Sequence, residues 1–339
     1  MEKNSQRLVN LANKRFSDIL SEGFRLFFQI YGVLIIPLAF FQLILIIFDT
    51  FLLTDLKVYI DSIGFNVVNL MAQIAEDTPI TGDEWNLVIL FFLLSFILLF
   101  LQNLIGAVVI TIAMCSVSNY VLKKYMNIET DFVNSFKSAF NRKIFIVIFL
   151  VGLCLPISAI LMYIPAIAVF SIFIFLVFTY NIEEIEKPTS EARAIAKGTN
   201  NKLKIIGVFI FNFCIIFILS VIFNYFIDFF VDPNILSDNY DIWLEPSTRN
   251  YGLIILYQIL LNLVNILFAP LFICLLTVLF ASLKAKKDLG LKYHYSVRAQ
   301  PTSIAQNEES IYCPYCGVLI NRLKRFCPRC GEDLSPLDK

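Results

Sequence analysis

Five stretches of this chain carry no charged side chain: residues 26–48, 85–122, 144–182, 205–227 and 250–283. That pattern constrains the fold more than any motif does. A helix crosses the hydrocarbon core of a bilayer with about 20 residues, and lipid offers no partner to an unpaired backbone group, so such runs are helical. Hydrophobic residues make up 58 % of the chain and charged residues 16 %, against about 45–50 % and about 25 % in soluble domains. A soluble enzyme, a disordered regulator and a disulfide-built secreted domain are excluded.

Runs 26–48 and 205–227 fit one crossing each. Run 144–182 would be about 58 Å long as one helix, nearly twice the core thickness. It contains Pro156 and Pro165 and is split into two spans that turn near Tyr163-Ile164-Pro165. Run 85–122 has no proline and reads as one long helix projecting beyond the bilayer. Run 250–283 contains Pro270, read as a kink. The expectation is an all-α polytopic membrane protein with six transmembrane helices.

Charge supports that count. Of 27 basic residues, only Lys57 and Arg249 fall on the far side when six spans are threaded. The positive-inside rule makes the other side cytoplasmic, with both termini there, in a multi-pass protein of the cell membrane. The basic face is expected to meet anionic lipid headgroups. The first 25 residues are polar and amphipathic, so the first run is expected to act as an uncleaved signal-anchor.

Between the runs, Leu8, Ala12, Phe16, Ile19 and Leu20 have helical spacing, Phe132, Phe136 and Phe140 recur every four residues, and Ser190–Lys197 opens after Pro188 and stops at Gly198. Each reads as an interfacial helix on the inner leaflet, so that the chain would be a threefold array of amphipathic helix plus hairpin. Residues 52–74 read as a separate outer helix broken near Gly64. The acidic loop with Asp232, Asp238, Asp241 and Glu245 lacks a calcium-loop pattern.

The basic lead-in, the Pro-marked hairpin (Pro156, Tyr163-Ile164-Pro165), Glu183-Glu184 and the segment Ser190–Gly198 resemble the six-helix membrane domain fused to some bacterial glycerophosphodiester phosphodiesterases and found in related uncharacterised polytopic proteins. The resemblance covers roughly residues 15–283. The catalytic domain of those enzymes needs histidines, and this chain has only His294, so their activity does not carry over.

The C-terminal motif is the most specific. Cys313-Pro314-Tyr315-Cys316-Gly317 and Cys327-Pro328-Arg329-Cys330-Gly331 place two C-x2-C pairs ten residues apart. Four thiolates close a tetrahedral Zn2+ site with Zn–S near about 2.3 Å. Proline presets each turn and the trailing glycine permits the close approach of backbone amides to sulfur. Val318-Leu319-Ile320 reads as a strand between the knuckles. The segment resembles the small zinc-ribbon family, which implies Cys313, Cys316, Cys327 and Cys330 as structural ligands. A glutaredoxin-type dithiol lacks its βαβ context, disulfides are disfavoured in a reducing compartment, and an iron tetrathiolate is the remaining alternative. The ribbon's five bases against three acids are too few for a nucleic-acid footprint.

The expected layout is an amphipathic lead-in at 1–25, a six-helix domain at 26–283, a cytoplasmic linker at 284–310 and the ribbon at 311–339. Cys115, Cys154, Cys214 and Cys274 lie one per span and read as small buried hydrophobes. No Asp, Glu, Lys or Arg lies deep in a span, and no hydrolytic or phosphate-binding motif is present. The polar residues that do occur are Gln258, Asn262 and Asn265 on one face of the last span, Gln102 and Asn103 in mid-span, and Asn212 and Asn224. They read as interhelical hydrogen bonding or, more sharply, as a polar lining for a solute or lipid headgroup. The chain is therefore expected to be non-enzymatic, with the bilayer and a cytoplasmic protein contacted through the ribbon as partners. The alternative is a transporter, channel or lipid-handling protein with the ribbon as a regulatory appendage.

Overall fold

The computed structural model describes residues 8–75, 82–161, 169–182, 185–230, 242–299, 310–313, 315, 319–321 and 326–327. Apart from two three-residue strands near the C-terminus, the regular elements among them are helical. Four helices are long and apolar enough to cross a membrane: Phe16–Val68, Trp85–Tyr125, Thr199–Ile227 and Leu263–Gly290.

Helix α1 (Phe16–Phe48) runs through a π-turn at Asp49–Leu53 into α2 (Thr54–Ala75). The lead-in is therefore continuous with the first apolar run rather than a separate interfacial helix, apart from one short helical turn at 8–12. No helix breaker stands between Phe16 and Leu26. Gly23 stays helical, and its missing side chain serves a contact instead: a Cβ there would lie 2.5 Å from Leu275 Cδ2. Gly64 does not break α2 either. It makes room for Phe91, whose Cε2 would stand 3.0 Å from an added Cβ.

Helix α3 (Gly82–Tyr125) has 44 residues, about 66 Å of rise. It is the single long helix expected. Its level relative to α1 is set by Gln102, whose Nε2 donates to Asp49 Oδ1 at 3.0 Å. Gln102 thus stands where the charge-free run of α1 ends, not in mid-span. Asn103 bonds back to Leu99 O at 2.7 Å. Beyond Gln102, the first half of α3 pairs with α2 through a small cluster of Ile63, Val67 and Val88.

After the amphipathic α4 (Phe132–Ala139), capped by Asp131, come α5 (Ile144–Val147), a second π-turn (Ile148–Leu153) and α6 (Cys154–Leu161). The expected turn at 163–165 lies outside the described residues. The chain resumes at Val169 and reaches α7 (Leu176–Thr179). The excursion returns to its starting level. Asn141 Nδ2 donates to Asn181 Oδ1 at 3.1 Å, and Tyr180 OH lies 3.1 Å from both Ala139 O and Cys115 O. Ser118 Oγ lies 2.9 Å from Val177 O. A single crossing would leave these residues on opposite sides.

Tyr180 is buried, and its one hydroxyl proton is shared between the two carbonyls. Tyr180→Phe is expected to lower unfolding free energy by about 1 kcal/mol without changing helicity, as read by denaturant titration in detergent. An unchanged stability would show that the hydroxyl holds nothing together.

Helix α8 (Pro188–Ala196) begins on Pro188 at its first turn and ends before Gly198, whose φ of +103° suits only glycine. It was expected to lie on the lipid surface. Instead Ala192, Ile195 and Ala196 are buried in the main core, so one face of α8 packs against the bundle. Helix α9 (Thr199–Phe230) follows.

The last apolar run forms α10 (Tyr251–Leu261) and α11 (Leu263–Ala299). The break falls at Asn262 (φ −95°, ψ 8°) rather than at Pro270, which sits inside α11. Asn262 Nδ2 and the Asn262 backbone N–H both donate to the Gln258 carbonyl, at 2.9 Å and 3.0 Å. Helix α11 is the axis of the fold. Of its most apolar 18-residue window 78 % is buried, against 22 %, 6 % and 11 % for the other three long helices. The residues Leu271–Leu283 are apolar on all sides, as a helix ringed by others must be.

Polar contacts mark two ends. At one, Lys14 pairs with Glu22, Tyr125 OH donates to Glu22 at 2.6 Å, and Lys287 pairs with Glu191. At the other, Lys57 pairs with Asp49 and Arg249 with Asp55 at 2.7 Å. The two bases that depart from the charge pattern are thus each held by a neighbouring acid.

Candidate functional site

Two places bring chemistry-bearing residues together. The first is the tail. Strands β1 (Ser310–Tyr312) and β2 (Leu319–Asn321) pair antiparallel in the register Ser310↔Asn321, Ile311↔Ile320, Tyr312↔Leu319. Most of the expected first knuckle, 314 and 316–318, lies outside the described residues. Cys313 and Cys327 are both buried, at 0 % and 2 % exposure. Cys316 and Cys330 lie outside the described residues, and among the described residues no three metal-ligating side chains gather.

The linker before the tail differs from expectation. Residues 284–299 continue α11 as helix, because Lys284–Leu291 holds no proline and keeps helix-forming Lys, Ala and Leu. Only from residue 300 to 309 does the stretch read as a tether lie outside the described residues.

The second place is a cavity of about 350 Å³ between α1, α3, α9 and the α10–α11 junction. Its walls are mainly apolar, with Phe41, Met114, Phe268 and Phe272 among them, and four amides enter it: Gln42, Asn212, Asn262 and Asn265. None of the described residues lining it is charged. The i, i+3 spacing of Asn262 and Asn265 puts both on the cavity side of the last helix, and Asn265 Nδ2 donates to Asn262 Oδ1 at 3.3 Å. Gln258, the third member of that sequence face, contributes its backbone carbonyl. Asn212 arrives from α9. Its Oδ1 is buried with no hydrogen-bond partner. Asn224, two helical turns or more farther on, is exposed and lines no part of this cavity.

Gln42 was missed by sequence reading. Its signal was weak but present, a lone amide in an otherwise apolar run, and only the tertiary structure brings it to the same cavity as Asn265. Gln102 was placed wrongly for the complementary reason, since run length hid how far α3 overshoots α1.

The intramembrane cysteines divide. Cys115 and Cys274 are buried as expected, Cys154 is half-buried and Cys214 is exposed on α9. No family model matches the chain, and no curated protein and no solved structure is significantly similar to it.

Proposed function

We propose that this chain is a non-enzymatic, multi-pass protein of the cell membrane. Its cytoplasmic zinc ribbon, with Cys313, Cys316, Cys327 and Cys330 on one structural Zn2+, recruits a protein partner. The observation that carries the reading is the continuity of α11. One helix of 37 residues is both the buried axis of the bundle and the stem that leads to the tail. A module mounted on such a stem is held near the membrane surface at a defined place, which suits recruitment.

Six crossings are formed by α1, α3, the two arms of the 144–182 excursion, α9 and α10–α11. The return of residues 180–181 to the level of 139–141 supports the two-armed reading. From Gln102 to Leu122, α3 rises about 32 Å, close to the thickness of the hydrocarbon core. The basic end faces the cytoplasm. Four cysteines close the zinc coordination sphere and leave no position for substrate, so the metal holds the ribbon together and does no chemistry.

The test is a crosslinked pulldown from native membranes that compares wild type with Cys313→Ser/Cys316→Ser. Specific partners that vanish with the double substitution are the expected result. A partner set that is empty or unchanged overturns the adaptor reading. It would favour the alternative of a transporter, channel or lipid-handling protein, for which the amide-lined cavity is the supporting observation.

A further inference from the structure

We infer that the cavity between α1, α3, α9 and the α10–α11 junction is a binding site for a neutral, lipid-soluble alcohol: a single hydroxyl on an apolar body. The inference stands apart from the ribbon and holds whether or not the tail recruits a partner.

The argument begins with what the cavity lacks. Asn265 Nδ2 is given to Asn262 Oδ1, and Asn262 Nδ2 to the Gln258 carbonyl. Those two amides largely satisfy each other and the broken helix. Asn212 Oδ1 is different, being buried and without a donor. An orphaned buried acceptor is costly, and buried polar side chains are rarely left so. Interhelical amide pairing accounts for Asn262 and Asn265 and leaves Asn212 unexplained. What is missing is an O–H or N–H that enters the cavity.

The walls narrow the choice. With no charged residue lining the site, an ammonium or a carboxylate would be taken from water without a counter-charge, which a low-dielectric interior opposes. The aromatic and aliphatic walls, with Phe268 and Phe272 on α11, call for an apolar body. About 350 Å³ lies within the range of ligand pockets, and a cluster of waters would meet carbon over most of that surface. A hydroxyl also accepts, so the same group can accept a hydrogen bond from a second amide such as Gln42 while it donates to Asn212 Oδ1.

The route in is lateral. Ile110 lines the cavity and is 43 % exposed, so among the described residues the cavity reaches the outer surface of α3. In a bilayer that surface is lipid, and a guest that partitions into acyl chains is already at the entrance.

The test uses the full chain in nanodiscs and a photoreactive probe, a long-chain primary alcohol with a diazirine in its chain, beside the matched methyl ether. The two probes differ in the donated proton. Expected is labelling of peptides that contain 38–45, 109–114, 212–216 or 262–273, with the alcohol favoured by about tenfold, the usual scale for a hydrogen bond made in a buried site. Asn212→Leu removes the orphan acceptor without leaving a new one and is expected to abolish that preference. Equal labelling by alcohol and ether in the wild-type chain overturns the proposal, and so does a preference that survives Asn212→Leu. The wild-type comparison decides the matter even if the variant fails to fold.

Discussion

Purified chain is expected to carry one zinc ion, and to lose it when Cys313 and Cys316 are both changed to serine. The expected effect is large because the tail has little else to fold on. Fewer than 30 residues cannot bury enough apolar surface to offset chain entropy. Structural zinc in comparable peptides supplies about 10–16 kcal/mol, which is then the folding free energy of the module. Cys313 and Cys327 are both buried, and the paired strands contribute only three residues each. Without metal those two strands are too short to stand alone. Elemental analysis gives the stoichiometry, and limited proteolysis before and after a strong chelator reads the fold. Cleavage within 311–330 should appear once zinc is removed, while the helical bundle keeps its circular dichroism. A chain that binds no zinc, or a double variant that keeps it, refutes the ribbon. Iron in place of zinc would show as a coloured protein and a different metal count with the same ligands.

The second large effect is expected at Gly23. A Cβ there would meet Leu275 Cδ2 at 2.5 Å and Leu275 Cα at 3.1 Å. The first contact involves the end of a side chain and can give way. The second is backbone on the axial helix, so α1 and α11 must move apart. Leu275 is fully buried, and its neighbours on α11 leave it nowhere to go. Gly23→Ala should cost about 1–3 kcal/mol, the usual range for overpacking, and Gly23→Leu more, because three further carbons enter an occupied site. Gly32 on the same helix is the control. Nothing lies within 4 Å of a Cβ there, so Gly32→Ala should be neutral or stabilising by up to about 1 kcal/mol through helix propensity. Thermal unfolding of the three variants in one detergent makes the comparison. A second arm is Gly23→Ala with Leu275→Ala, in which the clash is relieved and the two penalties should fail to add. If Gly23→Ala and Gly32→Ala behave alike, α1 and α11 do not meet as closely as described.

The long apolar helices, the 44-residue α3 among them, were legible from charge-free runs alone, because lipid compels any such run to be helical. The stop at Gly198 was legible too, since a positive φ selects glycine. Three features were not. Gly64 looks like a helix breaker in sequence and Gly23 gives no sign there, yet both are contact points, and only the neighbours Leu275 and Phe91 reveal that. Pro270 looks like a kink, yet it sits inside α11 and the interruption between α10 and α11 falls at Asn262. The Ala-rich segment 190–197 looks interfacial, and only the tertiary structure shows that its Ala192, Ile195 and Ala196 face packs into the main core.

The cavity shows the same division. Asn262 and Asn265 could be placed together from their spacing on one helix, since local geometry alone decides it. Gln42 and Asn212 belong to helices 170 residues apart in the chain, and nothing local relates them.

By itself the sequence determined the transmembrane character, the basic and acidic ends and the cysteine quartet, because each follows from local chemistry: transfer of apolar runs into lipid, the positive-inside bias, and ligand spacing along a short loop. Which helix became the axis, how far α3 overshoots α1 and which amides share a cavity were decided only by the tertiary structure. Those depend on side-chain shape between segments distant in the chain, where a single missing Cβ at Gly23 sets how closely two helices approach.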